Sequence, residues 1–227
     1  MGMGRSVVAV SASIVLLLLT LGIGVSPASA DIVVDFSTGS NVGIGGSITL
    51  FADGNLAGSA IPIGTLTAAG TSADGSYSAT GLASGSAPGA TNCCASLSFN
   101  TGEGGSNFIQ IVGSVPGLTA APETLLSGTI SSFSLANGPV GLVAATGQDV
   151  KADDLLAALG ISGTQFGFFG ISLSTNALSP GGSPSTAIST DIKNTAVPEP
   201  GSLFLLGAGL LGLAAYARHS RRVENLT

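Results

Sequence analysis

Ser127-Gly128-Thr129-Ile130-Ser131-Ser132-Phe133-Ser134-Leu135, followed by Asn137-Gly138-Pro139 and then Val140-Gly141-Leu142-Val143-Ala144-Ala145, is the stretch that decides the fold class. From Ser131 to Leu135, Phe133 and Leu135 alternate with serines, so both fall on one face of an extended chain. Asn-Gly-Pro is a turn signal, and the stretch reads as strand, turn, strand. The same pattern continues outward. Short runs rich in Val, Ile, Thr and Phe cover Ile32–Phe36, Ser47–Ala52, Ile61–Thr67, Ser76–Thr80, Ala95–Asn100, Phe108–Gly113 and Gln165–Ser174. Gly, Asn, Asp and Ser separate them, with turn signals at Asp53-Gly54-Asn55 and Asp74-Gly75. Many short strands at this spacing predict a mainly β, antiparallel sandwich-like domain over residues 31–178.

One helix interrupts the pattern. Asp149 is placed to cap a segment through Ala152-Asp153-Asp154-Leu155-Leu156-Ala157-Ala158-Leu159, with Gly160 ending it. The acids in its first turn suit the helix dipole. Pro122 to Leu126 reads as a further short turn. Phe166, Phe168 and Phe169 read as core plugs rather than as a membrane or ligand contact. No phrase recurs at a fixed period, so a solenoid is not supported.

Composition narrows the function. Charged residues make up 8% of the 227, against roughly 25% in an average soluble domain. The net charge of −6 excludes a basic nucleic-acid binder, and 35 glycines without a three-residue period exclude collagen. Between residues 31 and 197 the only cations are Lys151 and Lys193. The sole histidine, His219, lies near the C-terminus. The domain therefore has no Ser-His-Asp or Cys-His unit and no histidine zinc site, and no cofactor or metal is expected. Carboxylate catalysis of the glycosidase kind would draw on Glu103, Glu123, Asp149, Asp153 and Asp154. No spacing singles out a pair and there is no Trp to stack a sugar, so the expectation is a non-enzyme. For calcium, Asp53-Gly54-Asn55 and Asp74 are candidate oxygen donors, although their spacing does not match an EF-hand loop. The adjacent pair Cys93-Cys94 leaves three outcomes open: a vicinal disulfide, bridges between molecules, or metal and redox chemistry.

Both ends carry export signals. Residues 1–30 read as a signal peptide: Arg5, an apolar stretch from Val7 to Val25, Pro27, then small residues Ala28 and Ala30 for signal peptidase. The expected mature start is Asp31, and the alternative is an uncleaved N-terminal anchor. Residues 179–197 read as a Pro/Gly/Ser/Thr linker, with an edge strand at Thr186–Ile192 as the competing reading. Pro198-Glu199-Pro200-Gly201 then precedes an uncharged stretch, Ser202 to Ala217. As a helix it spans about 24 Å at 1.5 Å per residue. That is short of a hydrocarbon core of roughly 30 Å, but insertable by snorkelling and local thinning. Arg218, Arg221 and Arg222 would stop transfer and stay cytoplasmic, with a polar end at 223–227.

The string from Val197 to Arg222 closely resembles the PEP-CTERM protein-sorting domain. It has the Pro-Glu-Pro triplet, a short hydrophobic helix and a basic end in that order, and departs only in running on to Thr227. The resemblance covers only the tail. It implies an exported protein of Gram-negative bacteria, processed by an exosortase, a membrane cysteine protease or transpeptidase. Pro198, Glu199 and Pro200 would be the recognition site, Ser202 to Ala217 the membrane hold, and the arginines the stop. The same tail is catalogued as the C-terminal domain of some ice-binding proteins. Ice binding needs a regular Thr array, and Thr65-Leu66-Thr67 is followed by no repeat. The expectation is a surface or extracellular-matrix (biofilm) protein with a structural or adhesive domain. Its partners would be signal peptidase, exosortase, the membrane before processing and exopolysaccharide, with no nucleic acid. The alternatives are a secreted calcium- or carbohydrate-binding module and a carboxylate-dependent hydrolase.

Overall fold

A computed structural model describes residues 31–39, 45–81, 93–196 and 207–213. The chain divides into compact units at residues 30 and 31, and all described residues belong to the second. It is mainly antiparallel β. The strands are β1 (Val33–Ser37), β2 (Gly45–Leu50), β3 (Leu56–Ile63), β4 (Thr65–Ala69), β5 (Gly75–Ser78), β6 (Ala95–Thr101), β7 (Asn107–Gly113), β8 (Glu123–Ala136), β9 (Val140–Lys151), β10 (Phe166–Asn176) and β11 (Ser185–Ala196). Helix α1 (Asp153–Ala158) links β9 to β10.

The sheet closes on itself instead of splitting into two packed layers. Strand order runs β10-β9-β8-β7-β6-β3-β2-β11, and β11 then pairs with β10 to complete an eight-stranded barrel. This corrects the sandwich expectation. Closure removes free edges, and a barrel of this size has an interior that side chains can fill. β1, β4 and β5 form a branch, because the second edge of β11 is shared. Ser185 and Ala187 pair with β2, whereas Asp191 to Thr195 pair with β1.

The β8–β9 hairpin forms as its alternation predicts. Phe133 sits opposite Ala145 and Leu135 opposite Val143, all on the inner face. Inner positions continue along β9 as Gly141, Val143, Ala145, Gly147, Asp149 and Lys151. The core collects Phe36, Ile48, Leu56, Ile61, Leu97, Ile111, Leu126, Phe169 and Ile192, none above 3% exposed. Bulges at Gly58/Ile61, Ile130/Ser132 and Phe166/Phe168 bend the strands round the barrel. Gly46 is required by a close approach: a Cβ there would lie 2.6 Å from the Ile61 Cα.

Several expectations change. The segment read as a linker at 179–197 contains β11, which is an interior strand with partners on both edges. Asp149 does not cap α1. It belongs to β9, and the N-cap position is Ala152, without a side-chain cap. Gly160 does end the helix: at φ +71° it donates to the Ala157 carbonyl while Ile161 donates to Leu156. Residues 123–126 open β8 rather than forming a turn. Phe169 is core, but Phe168 is 64% exposed because the Phe166/Phe168 bulge turns it outward. The single run expected at Ile61–Thr67 is two strands, broken at Gly64.

The signal peptide, with Ala28 and Ala30, lies outside the described residues. So do Pro198, Glu199, Pro200, Arg218, Arg221 and Arg222. Within the stretch 202–217 the structure describes helix over 207–213, with every residue exposed. Among the described residues, no helix is long and apolar enough to cross a membrane.

Candidate functional site

Continuing the inward alternation of β9 delivers a charged pair to the barrel interior. Lys151 Nζ donates to Asp149 Oδ2 at 2.7 Å, and both side chains are fully buried. Asp149 Oδ1 accepts from Asn194 Nδ2, also at 2.7 Å. Asn194 comes from β11, opposite Phe169, and is itself 0% exposed. The Lys151 ammonium stands 3.9 Å from the centre of the Phe166 ring, a cation–π contact in a desolvated setting. Burial pushes the Lys151 amine below the usual lysine range, and Asp149 partly opposes this. The Asn194 Oδ1 is buried with no hydrogen-bond partner. One carboxylate thus joins an amine and a carboxamide from two strands that β10 separates.

Outside the barrel, an open groove of about 470 Å³ runs past Thr129, Gln148, Gln165 and Phe166. Asp149 and Val150 also line it, beside these neutral side chains and the Phe166 ring.

The carboxylates proposed for calcium and for catalysis fall in separate places. Asp53 and Glu103 meet at one end of the barrel, where Asp53 accepts from the Asn55 backbone and side chain. Those bonds hold Asp53 low, whereas partial desolvation and then Asp53 itself push Glu103 up. Asp74 is spent on the Thr71 N–H and hydroxyl. Glu123 is raised by burial first and by Asp154 second. Asp153 is exposed in the first turn of α1. Among the described residues, no group of three or more Cys, His, Asp and Glu is arranged to hold a metal ion.

A further charged group of three was not visible in the sequence. Asp35 on β1 lies opposite Lys193 and beside Asp191 on β11, on the outer face. Burial raises the Asp35 carboxyl to about 6, a hydrogen bond and the charge of Asp191 add to this, and Lys193 opposes it. Only the branching of β11 brings these residues together, so local sequence carried no sign of it.

Cys93 and Cys94 are joined in a disulfide across adjacent residues. Cys94 is fully buried at the entry to β6, and its carbonyl faces Gly81.

The family model for the PEP-CTERM protein-sorting motif matches residues 196–222. The chain thus carries a sorting tail of that family, beginning at Ala196, the last residue of β11. No curated protein and no solved structure matches the chain.

Proposed function

We propose that this is an exported bacterial protein whose barrel is delivered outside the cytoplasm and released or re-anchored there by an exosortase. The match of the sorting motif to residues 196–222, abutting the last barrel strand, carries this reading. Pro198, Glu199 and Pro200 would be recognised, Ser202 to Ala217 would hold the substrate in the membrane, and Arg218, Arg221 and Arg222 would stop transfer. With β11 inside the barrel, the cleavage site follows the domain with almost no spacer. A processing enzyme would then work close to the barrel surface.

The domain itself would serve as a structural or adhesive element of the envelope or exopolysaccharide matrix, without catalysis. Two observations support this. The acids available for hydrolysis are dispersed or engaged in turns, and the Asp149–Lys151 pair has both side chains fully buried. The test is the intact mass of the protein recovered from its native host, fraction by fraction. A product starting at Asp31 and ending near Pro198–Gly201 is expected outside the inner membrane. A membrane-bound product that retains Ser202 to Thr227 would overturn exosortase processing.

A further inference from the structure

We propose that Lys151 and Asn194 form an intramolecular isopeptide bond, with Asp149 moving the protons. One carboxylate holds both reacting groups. Asp149 holds the Lys151 amine on one oxygen and the Asn194 carboxamide nitrogen on the other, each at 2.7 Å. All three side chains are sealed from solvent. The Asn194 carbonyl oxygen is unpartnered, which leaves it free to take up charge and then accept a proton-bearing donor. The Phe166 ring centre lies 3.9 Å from the amine, whose side chain is fully buried.

The step balances within the chain. Lys151 passes one proton to the Asp149 carboxylate and becomes a neutral nucleophile, a change that burial favours. Its Nζ attacks Asn194 Cγ, forming the new C–N bond. The nitrogen sheds a second proton, which reaches Asn194 Nδ2. The Cγ–Nδ2 bond then breaks and ammonia leaves. Asp149 remains protonated and can donate to the new amide carbonyl. No oxidant, reductant or co-reactant is needed. Holding both groups on one carboxylate makes the reaction effectively unimolecular. Once formed, the bond is an amide shielded from hydrolysis by the same burial.

Its position has a mechanical consequence. β11 runs directly into the sorting tail, so force applied through a C-terminal anchor enters at Ala196 and peels β11. A covalent link from Asn194 to the end of β9 would carry that load past the hydrogen bonds of β11. The chemistry of the link does not depend on whether the tail is processed.

The experiment is intact mass of the purified protein after reduction of the Cys93–Cys94 disulfide, with a tryptic map. The expected mass is short by one ammonia. Because Lys151 and Lys193 are the only tryptic sites between residues 31 and 197, an amidated Lys151 leaves one cleavage there, after Lys193, and yields a branched peptide joined through Asn194. Lys151→Met and Asn194→Ala should each restore full mass. A wild-type chain of full mass that is cut after Lys151 overturns the proposal. So does an ammonia loss that maps to Asn137-Gly138, where a succinimide would form, or one that persists in both variants.

Discussion

Asn137, in the β8–β9 turn, clasps Leu178 twice: its Nδ2 donates to the Leu178 carbonyl at 2.6 Å, and its Oδ1 accepts from the Leu178 N–H at 3.2 Å. A side-chain amide thereby acts as a short strand partner for the segment that follows β10. Leu178 is almost fully buried, so its peptide groups have little access to water as a substitute. Asn137→Ala should cost about 1–3 kcal/mol, from two lost bonds and one stranded backbone pair. The check is a lower urea midpoint at unchanged m. A midpoint within error of wild type would show that water replaces the clasp.

Gly147 should tolerate no side chain. A Cβ there would strike the Thr129 carbonyl and come within 2.7 Å of the Phe169 ring. Backbone on one side and a packed core ring on the other cannot both move aside. Gly147→Ala is expected to lose about 1–3 kcal/mol through overpacking. Gly104 is the control: it has a positive φ but nothing within 4 Å, so Gly104→Ala should lose less, about 1 kcal/mol from backbone strain. Equal losses at the two sites would contradict the packing argument.

Ile192→Ala tests whether β11 belongs to the barrel. Ile192 is 0% exposed and sits between Phe36 of β1 and Ile171 of β10. Truncation should cost about 2–5 kcal/mol, as for other buried Leu and Ile sites. A tail linker would lose less than about 0.5 kcal/mol for the same change. Thermal melts of the two proteins decide it.

That strand also marks where sequence reading stops. Ser185–Ala196 alternates inward Ala187, Thr190, Ile192 and Asn194 with outward Ser189, Asp191 and Lys193. Threonine and asparagine on the inner face hide the apolar period, so a polar run following Pro180-Gly181-Gly182 looks like a linker. Hairpins with local alternation, such as β8–β9, were legible because both partners are adjacent in sequence. Barrel closure was not, since β11–β2 and β3–β6 join strands that are not consecutive in sequence. The interior cluster was half visible. Extending the period of two from Val143 through Gly147 would have pointed Asp149 and Lys151 inward, but the acids after Asp149 suggested a helix cap instead. Asn194 had no local signal at all.

Acid stability should be governed in part by Asp35. Its folded-state carboxyl titrates near 6, above its unfolded value, because of burial and then Asp191. A raised carboxyl pKa favours the folded state while the group is protonated, and that contribution is lost as pH rises through about 6. Asp35→Asn keeps the neutral shape at every pH. Its melting temperature should exceed that of wild type at neutral pH, with the gap closing as pH falls towards about 4. A gap that stays constant with pH would mean the Asp35–Asp191 contact does not control stability.

Glu199→Ala should block processing without disturbing the barrel. Residue 199 lies within the matched sorting motif and follows Ala196, where β11 ends. The variant should keep the wild-type melting temperature yet accumulate in the native host as a longer, membrane-associated form that retains the arginine end. Arg218, Arg221 and Arg222 changed together to Ser should fail differently, because the positive end sets orientation rather than cleavage. That chain is expected to pass through the membrane and appear uncleaved outside it. Mass and fractionation of the two variants side by side separate recognition from retention. Normal processing of Glu199→Ala would remove the Pro-Glu-Pro triplet from the recognition step.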